Sequence, residues 1–200
     1  MDKIKILFVS ANPAGTQQLK LDEEAREIEA KIRAAEHRDS VELITKWAVR
    51  PDDLLQSLNQ HRPHIVHFSG HGNPTEEIVL LDNLGKPKPV SKEALVHLFL
   101  ALKDNIRVVV LNACFSRLQA EAITGEIDCA VGMMREIGDD AAITFAASFY
   151  RAIGFGCSIK QAFDQGIAAL LLDGSLEGKT PVLISGRDTA PDKVFLINPR

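Results

Sequence analysis

Short apolar runs alternate along this chain with segments whose apolar positions recur at helical spacing. Runs that are almost wholly apolar predict strands of a parallel sheet, because such strands are covered on both faces. The predicted strands are residues 4–9, 41–47, 65–69, 107–111 and 129–133. Residues 78–87 predict a short hairpin over the sheet edge, and residues 181–185 and 194–197 are later strand candidates.

The segments between these strands have the features of helices. In residues 21–38, the apolar stripe of Leu21, Ala25, Ile28 and Ile32 is typical of a helix packed on a sheet. Pro51 begins a second predicted helix, residues 51–60. Ser91 caps a helix that runs to about residue 103, and Asp139 or Asp140 caps one that runs to about residue 153. The remaining predicted helices are residues 118–123 and 158–172. The alternation predicts an α/β fold: a doubly wound, mostly parallel sheet with helices on both faces. Residues 1–200 are expected to form a single domain.

Composition excludes several classes of function. A formal net charge of −4 and a pI near 5.9 leave no basic footprint, so no nucleic-acid partner is expected. No apolar run approaches the roughly eighteen residues that span a bilayer, so no membrane partner is expected. Three cysteines without a CxxC pair predict neither disulfides nor a zinc site, and a cytoplasmic location follows. Neither phosphate-loop motif, GxxxxGK[ST] or GxGxxG, is present, and no cofactor or metal is predicted.

A histidine and a cysteine stand where two of the apolar strands end. His71 lies in His67-Phe68-Ser69-Gly70-His71-Gly72, and Cys114 lies in Leu111-Asn112-Ala113-Cys114-Phe115-Ser116. Open α/β sheets bind ligands outside the carboxyl ends of their strands, so both side chains are expected in one crevice. A thiol and an imidazole that meet there can generate a thiolate nucleophile. Each residue also has an interpretation without catalysis. Cys114 could be a small hydrophobic residue of the core, and His71 a polar residue at the surface.

The two motifs resemble those of clan CD cysteine peptidases, and the chain is most similar to the bacterial CHAT domain, a caspase-like module. The first strand and its loop, residues 6–13, and residues 131–150 are similar to the corresponding parts of such domains. The resemblance implies a cysteine endopeptidase acting on a protein or peptide substrate. In that interpretation Cys114 attacks the scissile carbonyl and His71 protonates the leaving amine. The N–H groups of Gly72 and Cys114 would form the oxyanion hole.

Substrate-binding residues are less clearly marked. Gingipain-like and separase-like enzymes of this group take a basic residue through an acidic pocket, and here Asp139 and Glu136 are the candidates, with Asp139 first. Helix capping is the competing role for Asp139. The loop after the first strand, including Ser10 and Asn12, is expected to form one wall of the cleft.

Other functions remain open from the sequence. CHAT domains usually accompany sensor or repeat domains, so the resemblance implies a regulated effector of defence or cell death, with a sensor or regulatory protein as a possible partner. The alternative within the family is a latent pseudoenzyme that acts as a protein-interaction module. A nucleotide- or signal-binding α/β domain is disfavoured by the missing phosphate motifs, and a serine hydrolase by the missing GxSxG elbow.

Overall fold

The computed structural model describes residues 3–197, whose main sheet has six strands. The strands are β1 Ile4–Ala11, β2 Val41–Lys46, β3 Ile65–Gly70, β4 Ile78–Leu81, β5 Pro87–Val90, β6 Val108–Asn112, β7 Cys129–Met133 and β8 Pro181–Ser185. The order in the main sheet is β2-β1-β3-β6-β7-β8, and only β8 runs antiparallel to its neighbour. Strands β4 and β5 form a separate antiparallel hairpin. The predicted α/β class and mostly parallel sheet are confirmed.

Helices connect the strands and cover both faces of the sheet. They are α1 Leu21–Arg33, α2 Pro51–His61, α3 Lys92–Leu102, α4 Arg117–Ile123, α5 Asp139–Gly154 and α6 Ile159–Leu172, with short 3-10 turns at Arg38–Ser40, Lys103–Asn105 and Pro191–Lys193. Among residues 3–197, no helix is both long enough and apolar enough to cross a membrane.

Alternation along the strands divides the core into two layers. In β1, Ile6 and Phe8 pack under α1, α5 and α6, whereas Leu7 and Val9 pack against α2, α3 and α4. All four side chains are buried. Successive strand residues point to opposite faces, so a parallel strand covered on both sides must be apolar at nearly every position. This is why the apolar runs located the central strands.

Three local predictions were wrong. The helix predicted over residues 21–38 ends at Arg33, because the chain turns so that His37 N–H can donate to the Gly154 carbonyl. Residues 194–197 are not a strand: the Val194 carbonyl accepts from Ile159 N–H at the start of α6. Neither Asp139 nor Asp140 caps α5. Gly138 takes the N-cap position, without a side-chain hydrogen bond.

The order of the strands creates the crevice that holds the site. The connection through α1 leads from β1 to one edge strand, β2, and the connection through α2 returns across β1 to β3 on its other side. Connections that leave in opposite directions open a gap at the carboxyl ends of the strands. The cleft of this structure lies beside that point, at the carboxyl ends of β3 and β6.

Candidate active site

The loop that carries Cys114 begins where β6 ends and is held by its own side chains. Ser116 Oγ donates to the Leu111 carbonyl at 2.8 Å and accepts from Met133 N–H at 3.0 Å, which ties the loop to β7. Phe115, directly after the cysteine, has φ 56°, a left-handed conformation that is uncommon for a bulky residue. Such backbone strain persists only where the surroundings hold it, and it concentrates at functional sites.

The loop that carries His71 is fixed by the start of the β4–β5 hairpin. The His71 carbonyl accepts from Val79 N–H at 2.9 Å, and Gly72 lies opposite Ile78 in an antiparallel bridge. Ile78 N–H in turn donates to Oε1 of the buried Gln119 at 3.1 Å. The hydrogen bonds of this bridge are made by the residues on either side of Gly72. The N–H of Gly72 itself therefore donates to no group in the described part of the chain.

The two loops touch through their backbones. A β-carbon built on Gly72 would overlap the Cys114 carbonyl oxygen and lie 2.9 Å from its carbonyl carbon. Only glycine permits this approach. His71 and Cys114 line the same cleft, together with residues from α1, from the ends of β3 and β6, and from the start of α5.

A backbone carbonyl fixes the imidazole of His71. Its Nε2 lies 2.8 Å from the Gln17 carbonyl oxygen, and since a carbonyl only accepts, Nε2 must carry the proton. In the neutral ring Nδ1 is then the basic nitrogen. The loop that supplies Gln17 is held by Asn12, whose side chain donates to the Leu19 carbonyl at 3.0 Å and accepts from Leu19 N–H at 3.1 Å.

The thiol of Cys114 is protonated at rest. Burial raises the pKa of Cys114 above its ordinary value, and the negative charge of Glu136, followed by that of Asp139, raises it further. A hydrogen bond from the Ile137 backbone lowers the pKa of the thiol and opposes these effects only in part. The cleft therefore holds a neutral thiol rather than a preformed thiolate.

A buried carboxylate lies beneath the two loops. Glu24 of α1 is 3% exposed. It accepts from His67 Nε2 at 2.9 Å, from Asn112 Nδ2 at 2.6 Å and from the Ser69 hydroxyl. His67 and Ser69 belong to β3, and Asn112 ends β6, so one carboxylate joins both strands just before the loops that carry His71 and Cys114. Hydrogen bonds to a charged group are among the stronger ones in proteins.

The network continues to Tyr150 of α5. Its hydroxyl lies 3.0 Å from His67 Nδ1, and burial, followed by the charge of Glu24, raises the pKa of Tyr150 well above its ordinary value. The hydroxyl therefore keeps its proton and can donate to His67. His67 is fully buried and stacks on Phe8 with ring centroids 5.0 Å apart. It supports the site from below and does not line the cleft.

The residues expected to bind substrate occupy different places. Asp139 lines the cleft, and its Oδ2 accepts from Lys20 N–H at 3.3 Å. Glu136 is exposed and is not one of the residues that line the cleft, although its negative charge raises the pKa of the Cys114 thiol. Ser10 is buried and its Oγ donates to the Lys46 carbonyl at 3.4 Å, so it does not line the cleft. Asn12 likewise lies outside the lining and holds the loop that contacts His71.

No three His, Cys, Asp or Glu side chains of residues 3–197 come close enough together to hold a metal ion.

Comparison with known proteins identifies the family. The model of the CHAT domain matches residues 2–176. The chain belongs to the CHAT domain family. A protein from an unknown prokaryotic organism, named Roc-COR-CHAT protease, is 31% identical over 156 residues, which are 74% of this chain and 15% of that protein. A protein of Gillisia limnaea named probable protease is 23% identical over 150 residues, 74% of this chain and 26% of its own length.

The fold of this CHAT domain is that of a caspase-like proteinase. The crystal structure of the Arg-specific cysteine proteinase gingipain R superposes with a TM-score of 0.65 at 10% sequence identity. The match covers 96% of this chain and 47% of the gingipain chain. The CHAT domain thus spans about half of that structure and at most about a quarter of the two protease-named relatives.

Two contributors to the candidate site of this CHAT domain, Glu24 and the Gln17 carbonyl, were missed from the sequence. Glu24 lies three residues after Leu21 and four before Ile28, so it occupies a position of the apolar stripe of α1. An acidic residue on such a stripe is a signal of a buried polar network. The Gln17 carbonyl has no signature in the sequence, because any residue supplies a backbone oxygen.

Proposed function

We propose that this CHAT domain is a cysteine endopeptidase in which Cys114 is the nucleophile and His71 the general acid–base. The observation that carries the proposal is the backbone contact between Gly72 and Cys114, which brings the two loops together at one cleft. Membership of the CHAT family, two relatives named as proteases and a cysteine-proteinase fold support the same reaction class.

The first chemical step is acylation. His71 Nδ1 takes the thiol proton as Cys114 Sγ attacks the scissile carbonyl, and a carbon–sulfur bond forms. The Gln17 carbonyl stabilises the imidazolium that results, because it accepts from Nε2. The ring then gives its proton to the leaving amine as the peptide C–N bond breaks. Water, deprotonated by the same imidazole, hydrolyses the thioester and regenerates the thiol.

The negative charge that develops on the carbonyl oxygen needs donors. The Gly72 N–H has no partner in the described part of the chain, and with the Cys114 N–H it would form the oxyanion hole. Preorganised donors of this kind contribute strongly to acyl transfer, and removing one typically slows the reaction by about a hundredfold to a thousandfold.

The resting state of the thiol fits a regulated enzyme. Because the pKa of Cys114 is raised, little thiolate exists at neutral pH before His71 takes the thiol proton. The protease-named relatives are much longer than this chain. We place the domain as a cytoplasmic bacterial effector of a defence or cell-death type, under control of a sensor or regulatory partner.

Hydrolysis of a mixed peptide library tests the proposal. Cys114→Ala should reduce cleavage to background, and His71→Ala should slow it by about a hundredfold to ten-thousandfold. The matched controls are Cys157→Ala, a half-buried thiol outside the cleft, and His97→Ala, an exposed imidazole. Controls that abolish cleavage as completely as the site variants would contradict the assignment. A folded wild-type chain that cleaves nothing would favour the latent interaction module.

A further inference from the structure

Gln119 is a fully buried polar side chain that connects α4 to the β4–β5 hairpin. It lies five residues after Cys114 and is 0% exposed. Its Oε1 accepts from Ile78 N–H at 3.1 Å, and its Nε2 donates to the Val90 carbonyl at 2.9 Å. Ile78 begins β4, Val90 ends β5, and the two residues lie opposite each other. One amide therefore bridges both strands at the open end of the hairpin.

The strand that Gln119 holds also determines the direction of the Gly72 N–H. Two backbone hydrogen bonds flank the bridge between Gly72 and Ile78, one on either side of the pair. In an antiparallel pair of this kind, the N–H groups of the two residues point away from each other. Ile78 N–H therefore points toward Gln119, and Gly72 N–H points to the opposite side of the pair.

These contacts form a closed circuit around the proposed oxyanion hole. The Cys114 loop leads into α4, and α4 carries Gln119. Gln119 holds Ile78, and the bridge joins Ile78 to Gly72. The circuit closes where Gly72 packs on the carbonyl group of Cys114. A rotation of the hairpin about its long axis would turn the Gly72 N–H away from the Cys114 N–H, and the amide of Gln119 opposes that rotation because it binds both strands.

Packing alone does not call for a glutamine at position 119. Ile78, its hydrogen-bond partner, and Ala120, its neighbour in the chain, both belong to the apolar layer of the core on this face of the sheet. Burying an amide in such surroundings costs free energy unless its donor and its acceptor are both paired. An apolar side chain of the same length would fill the space, but it could not hold an N–H and a carbonyl at fixed positions. Without the amide, Ile78 N–H and the Val90 carbonyl are free to pair directly, which moves β4.

We infer that Gln119 is a positioning residue for the proposed reaction, because it sets the direction of the Gly72 N–H at the oxyanion hole. The inference rests on the proposed peptidase function and adds to it a residue that does not line the cleft. Gln119 touches neither the substrate nor the reacting atoms. It acts through Ile78 and Gly72 on the stabilisation of the charge that develops on the scissile carbonyl oxygen.

Gln119→Met tests the inference on the whole chain, because methionine has a similar length and makes neither hydrogen bond. In peptide hydrolysis kcat should fall by about tenfold to a hundredfold, since the donor is displaced rather than removed, and KM should change little. Alkylation of Cys114 by iodoacetamide should keep its wild-type rate, because the thiolate attacks a saturated carbon and no oxyanion forms. A role in the fold alone would change both reactions together or change neither.

A peptide aldehyde reports on the oxyanion hole without turnover. Cys114 Sγ adds to the aldehyde carbon, and the thiol proton passes to the oxygen, which then occupies the proposed hole. The adduct resembles the tetrahedral transition state, so Gln119→Met should weaken it by a factor similar to the loss in kcat. If the wild-type chain captures the aldehyde but cleaves no peptide, a weaker adduct in Gln119→Met supports the inference and counts against the peptidase alone.

Gln165→Met is the matched control. Gln165 also donates a side-chain hydrogen bond, to Cys157 Sγ at 3.4 Å, and it belongs to α6 outside the cleft, so this variant should keep wild-type values in all three assays. Thermal unfolding is measured for every variant. Gln119→Glu keeps an acceptor for Ile78 N–H and should lose less kcat than Gln119→Met; it carries the same comparison if Gln119→Met does not fold.

Two results would overturn the inference and leave the peptidase standing. The first is a folded Gln119→Met with wild-type kcat and wild-type affinity for the aldehyde. The second is an equal loss in hydrolysis and in alkylation, which would show that Gln119 supports the fold and does not align the Gly72 N–H.

Discussion

The α-carbon of Gly72 packs on the peptide group of Cys114, so closely that a β-carbon at position 72 would overlap the Cys114 carbonyl oxygen. The contact joins the loop after β3 to the loop after β6, two segments that are far apart in the sequence. It brings the residue after the proposed acid–base against the proposed nucleophile. The geometry of the site depends on a residue that has no side chain.

Gly72→Ala is expected to abolish the proposed peptidase activity. The added methyl group meets backbone atoms, which cannot rotate away as a flexible side chain could, so the Cys114 loop must move. Displacing the proposed oxyanion donor as well should lower kcat/KM by about a hundredfold or more. The measurement is peptide hydrolysis at matched concentrations of folded protein. Gly125→Ala is the control, because its β-carbon would lie 3.6 Å from the Ala122 carbonyl oxygen, an ordinary contact. Wild-type kinetics in Gly72→Ala would contradict the proposed geometry.

Glu24→Ala is expected to destabilise the fold. It leaves buried donors of His67, Ser69 and Asn112 without their shared acceptor. Removing one partner of a buried charged network costs about 3 kcal/mol or more in the free energy of unfolding, measured by urea denaturation. Glu23→Ala, at the exposed neighbouring position, should change that free energy by less than about 0.5 kcal/mol. Equal effects of the two substitutions would show that the Glu24 network adds nothing to stability.

Alkylation of Cys114 by iodoacetamide should depend steeply on pH. The thiolate is the reactive form, and burial together with the charge of Glu136 raises the pKa of Cys114, so the thiolate fraction at neutral pH is smaller than for an ordinary cysteine. The rate should therefore keep rising beyond the pH at which alkylation of an ordinary cysteine, with a pKa of about 8.5, levels off. Glu136→Gln removes a negative charge, lowers the pKa of the thiol and should speed alkylation at neutral pH.

Mass spectrometry of the digested protein assigns each label to its cysteine. Cys129 serves as an internal reference, because burial raises its pKa to about 12 and its side chain is fully covered. It should stay unlabelled in the native protein. A Cys114 rate that is already constant from neutral pH upward would indicate a preformed thiolate and contradict the electrostatics described here.

The position of the candidate site was predictable because it follows from the strands. His71 and Cys114 directly follow apolar runs, and parallel strands end at the same edge of a sheet. The buried carboxylate of Glu24 beneath them was not predicted. Glu24 belongs to a helix rich in charged residues, and only its place on the apolar stripe distinguishes it from the exposed Glu23.

Errors arose where a local pattern competes with tertiary contacts. An acidic residue at a helix start usually caps it, yet Gly138 takes that position and Asp139 turns to Lys20 N–H instead. Residues 194–197 have the apolar character of a strand, but Val194 packs into the core and its carbonyl receives Ile159 N–H. Neither contact can be read from neighbouring residues, because each partner is distant in the sequence.

Covalent capture of Cys114 tests the central claim most directly. A peptide carrying a thiol-reactive electrophile in place of the scissile bond is incubated with the wild-type chain, Cys114→Ala and His71→Ala. We expect one adduct, at residue 114, in the wild type, none in Cys114→Ala and slow formation in His71→Ala, with all three proteins folded. An adduct at Cys129 or Cys157, or equal labelling of all three proteins, would contradict the account.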